Sequence, residues 1–225
     1  MSTILVTGSG AGLGKAIADA LRGDGHLVLE FDRKMGDDVR DPNRTRLAPD
    51  SLDVLINCAG INKTAWLEDL PEEQWDEVMG INAKGIYKMT QWALPALVRS
   101  KGTVLNIVSN ASHMPMTTSL AYNASKGAAH IMTLQMAREL SKKHGITVFG
   151  ISPNKLRGTE MSKDIEDQVV ALRGWTPEYA QQYQLNALLA GEETDPERLA
   201  DFVRYLLERK ENHKYLTGCI LPYGA

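Results

Sequence analysis

The chain predicts an α/β fold, a doubly wound parallel sheet with helices on both faces. Two observations carry that expectation. Short apolar runs alternate with helical stretches along most of the 225 residues, which is the signature of strand–helix–strand crossovers. The first run leads into a glycine-rich turn, Thr7-Gly8-Ser9-Gly10-Ala11-Gly12-Leu13-Gly14, that opens the first helical stretch. No internal repeat, low-complexity segment or linker interrupts the pattern, so residues 1–225 read as one domain.

Taken in order, strands are expected at residues 4–6, 27–31, 54–56, 103–108, 146–151 and 220–221. Each is a short apolar run of the kind found in strands buried on both faces. Helices are expected at 12–23, 71–99, 122–144 and 196–209, with several further turns between 159 and 189. Pro71 and Pro196 suit the first turn of a helix, and Asp195 suits an N-cap. The stretch 31–57 has no amphipathic helix and is rich in Asp, Arg, Pro and Asn between 35 and 50. A parallel crossover normally uses a dozen residues or more with a helix, so a trimmed, irregular crossover is expected after the second strand.

Composition is that of an ordinary globular protein, with 43% hydrophobic residues, 24% charged residues and a net charge of −3. No basic excess points to nucleic acid and no apolar run approaches the length that spans a bilayer. The first residues read as a strand entering a loop rather than as a signal peptide. Cys58 and Cys219 are the only cysteines and lack metal-ligand spacing, so no metal is expected. Both read as small buried thiols of a reduced, cytoplasmic protein.

The glycine loop points to a nucleotide. Gly8, Gly10, Gly12 and Gly14 allow a sharp turn and close approach to a pyrophosphate, and Ser9 and Leu13 complete the turn into the helix. The helix N-terminus offers free amides and a partial positive charge to that anion. Asp32 follows the second strand, where a carboxylate accepts hydrogen bonds from the adenosine ribose hydroxyls. It would repel the extra phosphate of NADP, a repulsion that neighbouring Arg33 could partly offset. NAD(H) is therefore favoured over NADP(H). The second chemical signal is Tyr122-Asn123-Ala124-Ser125-Lys126, which sets a phenol and an amine one turn apart on one helix face. An ammonium nearby favours the phenolate, so Tyr122 is expected to have a lowered pKa and to exchange protons near neutrality.

These features together resemble the short-chain dehydrogenase/reductase family, whose fold is Rossmann-type. The loop has that family's spacing of Thr-Gly, three residues, Gly, one residue, Gly. Asn57-Cys58-Ala59-Gly60 resembles its Asn-Asn-Ala-Gly segment, with Cys58 in place of an Asn. The resemblance implies cofactor contacts from Asn57, Ala59 and Gly60, and adenine contacts from Asp38 and Val39. It implies a catalytic set of Asn82, Ser109, Tyr122 and Lys126. In that set Ser109 binds the substrate oxygen, Tyr122 moves the proton, Lys126 also grips the nicotinamide ribose, and Asn82 holds a water linking Lys126 to solvent. Pro153 and Thr159 would meet the nicotinamide carboxamide, although Pro153 is followed by Asn154 where the family has Gly, and Thr159 falls one place late.

A substrate loop or lid is expected at about 154–190. Its candidate lining groups, with Ser109 and Tyr122, are His113, Asn154, Lys155, Arg157 and Trp175. Lys155 and Arg157 could meet a substrate carboxylate or phosphate, or be solvated loop charges. Trp175 and Tyr179 could form a lid over an apolar pocket or pack between subunits. The apolar stripe Ile131, Leu134 and Leu140 and the family's habit imply a homodimer or homotetramer. The expected activity is interconversion of a small secondary alcohol and a ketone. A non-catalytic NAD(P)-binding sensor on the same fold is the alternative.

Overall fold

A computed structural model describes residues 1–45, 47, 49–209 and 212–224. Six strands form a single parallel sheet: β1 (Thr3–Thr7), β2 (Leu27–Phe31), β3 (Val54–Asn57), β4 (Thr103–Ile107), β5 (Thr147–Pro153) and β6 (Ile220–Tyr223). Their order across the sheet is β2-β1-β3-β4-β5-β6. The reversal of winding between β1 and β3 creates a crevice at the carboxyl ends of these strands, the usual ligand position in open α/β sheets.

The apolar runs form strands because both of their faces are covered. Ile4, Leu5 and Val6 are all fully buried, as are Val54, Leu55 and Ile56. On one face lie α1 (Gly12–Gly23) and α7 (Pro196–Glu208), where Ile17 and Leu21 share a core with Leu199 and Val203. On the other lie α3 (Gly85–Ser100) and α4 (Leu120–His144), where Met89 and Leu97 share a core with Ala137. The α4 helix stops at Gly145, which takes φ 69 in the left-handed region. Asp195 caps α7 by accepting from the Glu197 backbone N–H at 2.9 Å. Ala225, the last residue of the one domain expected over 1–225, lies outside the described residues.

The helix expected over 71–99 is divided. Pro71 is extended and stands before α2 (Glu72–Met79), and a widened π-type turn at Gly80–Lys84 separates α2 from α3. Periodicity could not reveal this, because buried Val78, Asn82, Ile86 and Met89 keep a spacing of three or four residues across the turn. Such wide turns concentrate at functional sites, and this one carries Asn82.

After β2 the chain makes only single turns at Arg33–Met35 and Pro42–Arg44, with no longer helix before β3 among the described residues. The expected trimmed crossover is present, and β2 is left at the edge of the sheet. Asp38-Val39 forms no strand. Asp38 accepts from the Arg40 backbone N–H at 2.8 Å and from its guanidinium at 2.6 Å, bending the chain there.

Between β5 and α7 stand α5 (Glu160–Arg173) and α6 (Pro177–Asn186). The ends of this excursion are stitched together. Thr194 N–H donates to the Lys155 carbonyl at 2.9 Å, and Arg157 N–H donates to the Thr194 carbonyl at 2.8 Å.

Candidate active site

The glycine loop is built by close approach. A side chain on Gly8 would put its Cβ 2.8 Å from the Ala59 Cα, and one on Gly14 would stand 2.1 Å from the Gly8 carbonyl oxygen. Thr7 holds the neighbouring segment in place, because its hydroxyl accepts from Cys58 N–H at 3.0 Å and Ala59 N–H at 3.1 Å. Asn57 sits deeper and donates to Asn106 Oδ1 at 2.9 Å across the sheet.

Asp32 is locked onto this loop. One carboxylate oxygen accepts from Gly10 N–H at 2.9 Å and the other from Lys34 N–H at 2.8 Å. A Cβ on Gly10 would strike that carboxylate at 2.6 Å. Thr159 caps α5 by accepting from Ser162 N–H at 3.1 Å, and its methyl group faces Gly12. Lys34 donates to the Gly10 carbonyl at 3.4 Å and reaches Glu160 at 3.9 Å, so it bridges the loop and the start of α5. Ser9 Oγ is buried in the loop without a hydrogen-bond partner. An orphaned hydroxyl, a glycine cradle and a fixed carboxylate suit the pyrophosphate and adenosine ribose of a dinucleotide. Arg33 follows Asp32 in the first turn. Val39 is buried against Gly85, whose Cβ would meet it at 2.8 Å. Asp38 is held below the usual carboxylate range by the Arg40 hydrogen bonds, and this pairing occupies the carboxylate expected at adenine.

The catalytic candidates converge beside this loop. Ser109 stands two residues beyond β4, and its side chain lies beside the Tyr122 phenol from α4. Lys126 is buried on the same helix, with its Nζ 5.8 Å from the Tyr122 ring centre and donating to the Ile107 carbonyl at 2.9 Å. A Cβ on Gly60 would lie 3.9 Å from that ammonium and 3.4 Å from Asn82 Oδ1. Asn82 is fully buried, and its amide is committed. It accepts from Ile61 N–H at 2.9 Å, and it donates to the Ile61 carbonyl at 2.9 Å and to Ser125 Oγ at 3.0 Å. Ser125 in turn donates to the Tyr122 carbonyl at 2.8 Å, so Asn82 braces the helix turn that carries Tyr122.

The electrostatics correct one expectation. Tyr122 has a raised pKa, not a lowered one. Burial disfavours the phenolate, the Ser109 hydrogen bond only partly offsets this, and Cys58 adds slightly to the rise. The same burial lowers Lys126 to about 8, and the amine is turned to a backbone carbonyl. Burial also pushes the Cys58 thiol up to about 12, which keeps it protonated.

The lining groups expected around the substrate divide. Three are spent on internal contacts. Asn154 donates to the Gly224 carbonyl and accepts from Thr194 Oγ1, which ties the end of β5 to the chain's closing turn. Lys155 lies between Glu166 and Glu193, with 2.6 Å to the latter, and Arg157 pairs with Asp195. Sequence reading missed these pairs because Glu193 and Asp195 lie almost forty residues downstream of their partners. Pro153 is buried at the end of β5 opposite Tyr223. His113 is exposed and shares Ser112 Oγ with His130. Trp175 packs on Tyr179 and Tyr183, each with ring centres 4.9 Å away.

The α5 helix also touches both loops that flank Ser109 and Tyr122, through residues the sequence did not single out. Gln168 accepts from Thr64 N–H at 3.1 Å and from its hydroxyl at 2.9 Å. Arg173 donates to the Thr117 carbonyl at 2.7 Å. The next residue, Thr118, takes φ 66 and accepts from Ala65 N–H at 2.9 Å. A positive φ is unusual for a β-branched residue, and such strain gathers at functional sites.

The model of a family described as short chain dehydrogenase matches residues 43–170. An NAD-dependent glycerol dehydrogenase of Listeria innocua is 33% identical over 71% of this chain and 72% of its own. A (3R)-3-hydroxyacyl-CoA dehydrogenase of Mus musculus is 28% identical over 95% of this chain and 91% of its own. Among solved structures, a single-substitution variant of actinorhodin polyketide ketoreductase with NADPH superposes with a TM-score of 0.83. It is 24% identical, over 98% of this chain and 95% of its own, and this likeness bears on the fold.

Proposed function

The chain belongs to the short-chain dehydrogenase family, and from that premise we propose that it is an NAD(H)-dependent oxidoreductase interconverting a small secondary alcohol and its ketone. The observation that carries this reading is the meeting of Ser109, Tyr122 and Lys126 beside a glycine loop that fits a dinucleotide. The bound nicotinamide supplies the hydride donor or acceptor. Ser109 donates to the substrate oxygen and steadies its developing charge. Tyr122 delivers a proton to that oxygen in reduction and takes it back in oxidation. Lys126 holds the nicotinamide ribose, and Asn82 braces the helix turn that carries Tyr122 through Ser125. Gly8, Ser9, Gly10, Gly12 and Gly14 receive the pyrophosphate, and Asp32 receives the adenosine ribose.

We assign preference to NAD(H) because the Asp32 carboxylate is fixed beside the glycine loop, where it would meet the adenosine ribose hydroxyls. Residues 154–190 act as the substrate lid of a one-domain catalytic unit. Ile131 on α4 and Tyr87 on α3 are exposed apolar groups that support pairing into a homodimer or homotetramer. Among the described residues no helix is long and apolar enough to cross a membrane, and a cytoplasmic location is part of this reading.

The test is absorbance of the reduced cofactor with a panel of ketones and alcohols, alongside melting with NAD and NADP. A ligand held at about 100 times its Kd adds about 2.7 kcal/mol to stability, so NAD is expected to raise the melting temperature more than NADP. Binding without turnover of any substrate would favour a sensor instead.

The pH dependence has a definite sign. Reduction needs Tyr122 protonated, and burial raises its pKa, so kcat/KM for the ketone stays level through neutral pH and falls only in the alkaline range. Oxidation needs the phenolate and climbs with pH. Lys126, lowered to about 8 by burial, loses its charge earlier in the same alkaline rise. Paired profiles in both directions check this, and ketone reduction that increases with pH would contradict it.

A further inference from the structure

We infer that Arg173 reads an oxyanion on the substrate, so that the preferred ketone carries a carboxylate or a phosphate ester remote from its reacting carbon. This rests on the oxidoreductase reading above.

Three of the cations around the lid are matched to carboxylates, while exposed Lys163 and half-buried Lys63 have no ion pair among the described residues. Lys155 lies between Glu166 and Glu193, Arg157 faces Asp195, and Lys34 reaches Glu160. Arg173 is different. Its protein hydrogen-bond partner is a neutral carbonyl, that of Thr117, at 2.7 Å from Nη2. Its guanidinium lies over Trp175, 4.7 Å from a ring centre. Its Nε is buried and has no hydrogen-bond partner.

A buried, unmatched N–H on a cation is costly to keep. Nε and Nη2 form the side-on fork of a guanidinium, the geometry that meets two oxygens of a carboxylate or phosphate together. The carbonyl of Thr117 and the face of Trp175 hold the plane of this fork before any ligand arrives, so little rotamer entropy is lost on binding.

The position also suits a substrate. Thr117 belongs to the loop that joins Ser109 to Tyr122, and strained Thr118 pins that loop to Ala65. Gln168, earlier on the same helix, fastens α5 to Thr64 on the other flanking loop. The fork therefore hangs from the lid at the junction of the two loops that border the reacting groups. Asn62, in the loop after β3, has a buried Oδ1 with no partner, an acceptor suited to a substrate hydroxyl.

The experiment compares three ketones of one skeleton, ending in a neutral amide, a carboxylate or a phosphate ester, with the wild type and with Arg173→Gln and Arg173→Lys. One of the two anionic ketones is expected to exceed the amide by about tenfold or more in kcat/KM, mostly through KM. Which one does so identifies the oxyanion. In R173Q that ratio falls to near one. R173K keeps the charge without the fork, retains only part of the ratio, and serves as the second variant if R173Q does not fold. Equal rates for all three ketones in the wild type would overturn the assignment. So would a variant that slows all three alike, which would make Arg173 a fastening of the lid. Cofactor binding without turnover of any ketone or its alcohol would instead remove the oxidoreductase reading, and this inference with it.

Discussion

Tyr122→Phe is expected to lower turnover by roughly 10³-fold, the scale of general acid–base catalysis, while leaving the fold and cofactor affinity in place. The substitution removes one oxygen, which lies beside the Ser109 side chain. The ring keeps its packing, and Lys126 keeps its bond to the Ile107 carbonyl. The check is initial rates in both directions together with a cofactor titration of the variant. Turnover within a few-fold of the wild type would show that another group carries the proton.

The second large effect is expected on stability. A methyl group on Gly14 would stand 2.1 Å from the Gly8 carbonyl oxygen and 2.7 Å from its carbon. Both are backbone atoms held by the turn, so no rotamer change relieves the clash. Gly14→Ala is expected to cost about 3 kcal/mol, at the upper end for overpacking, and to lose dinucleotide binding because the cradle itself is forced open. Gly23 is the matched control, since it ends the same helix and an added methyl group there would meet nothing within 4 Å. Denaturant unfolding of the two alanine variants separates a clash at the loop from a general effect on α1.

Much of the candidate site was legible because its signals are local. The glycine loop, the Tyr122–Lys126 spacing and Asp32 at a strand end each follow from a few neighbouring residues. The strand pattern was legible because buried parallel strands are apolar throughout. What escaped depends on partners far apart in the chain. The ion pairs that occupy Lys155 and Arg157 form only when residues near 194 return beside β5. The Asn154 clamp needs Thr194 and Gly224. The break in the helix after Met79 left the apolar spacing nearly unchanged. The direction of the Tyr122 shift failed for another reason. A one-turn spacing places an amine near a phenol, but it does not reveal how much water both have lost or which way the amine points.

The side-by-side departure and return of the chain at Lys155 and Thr194 has an evolutionary corollary. The intervening stretch is a cassette whose two anchors stay put whatever lies between them. Lengthening such a loop adds only slowly to its closure entropy. Relatives can therefore trade one such cassette for another, longer or shorter, while the sheet and helices that anchor it are kept intact.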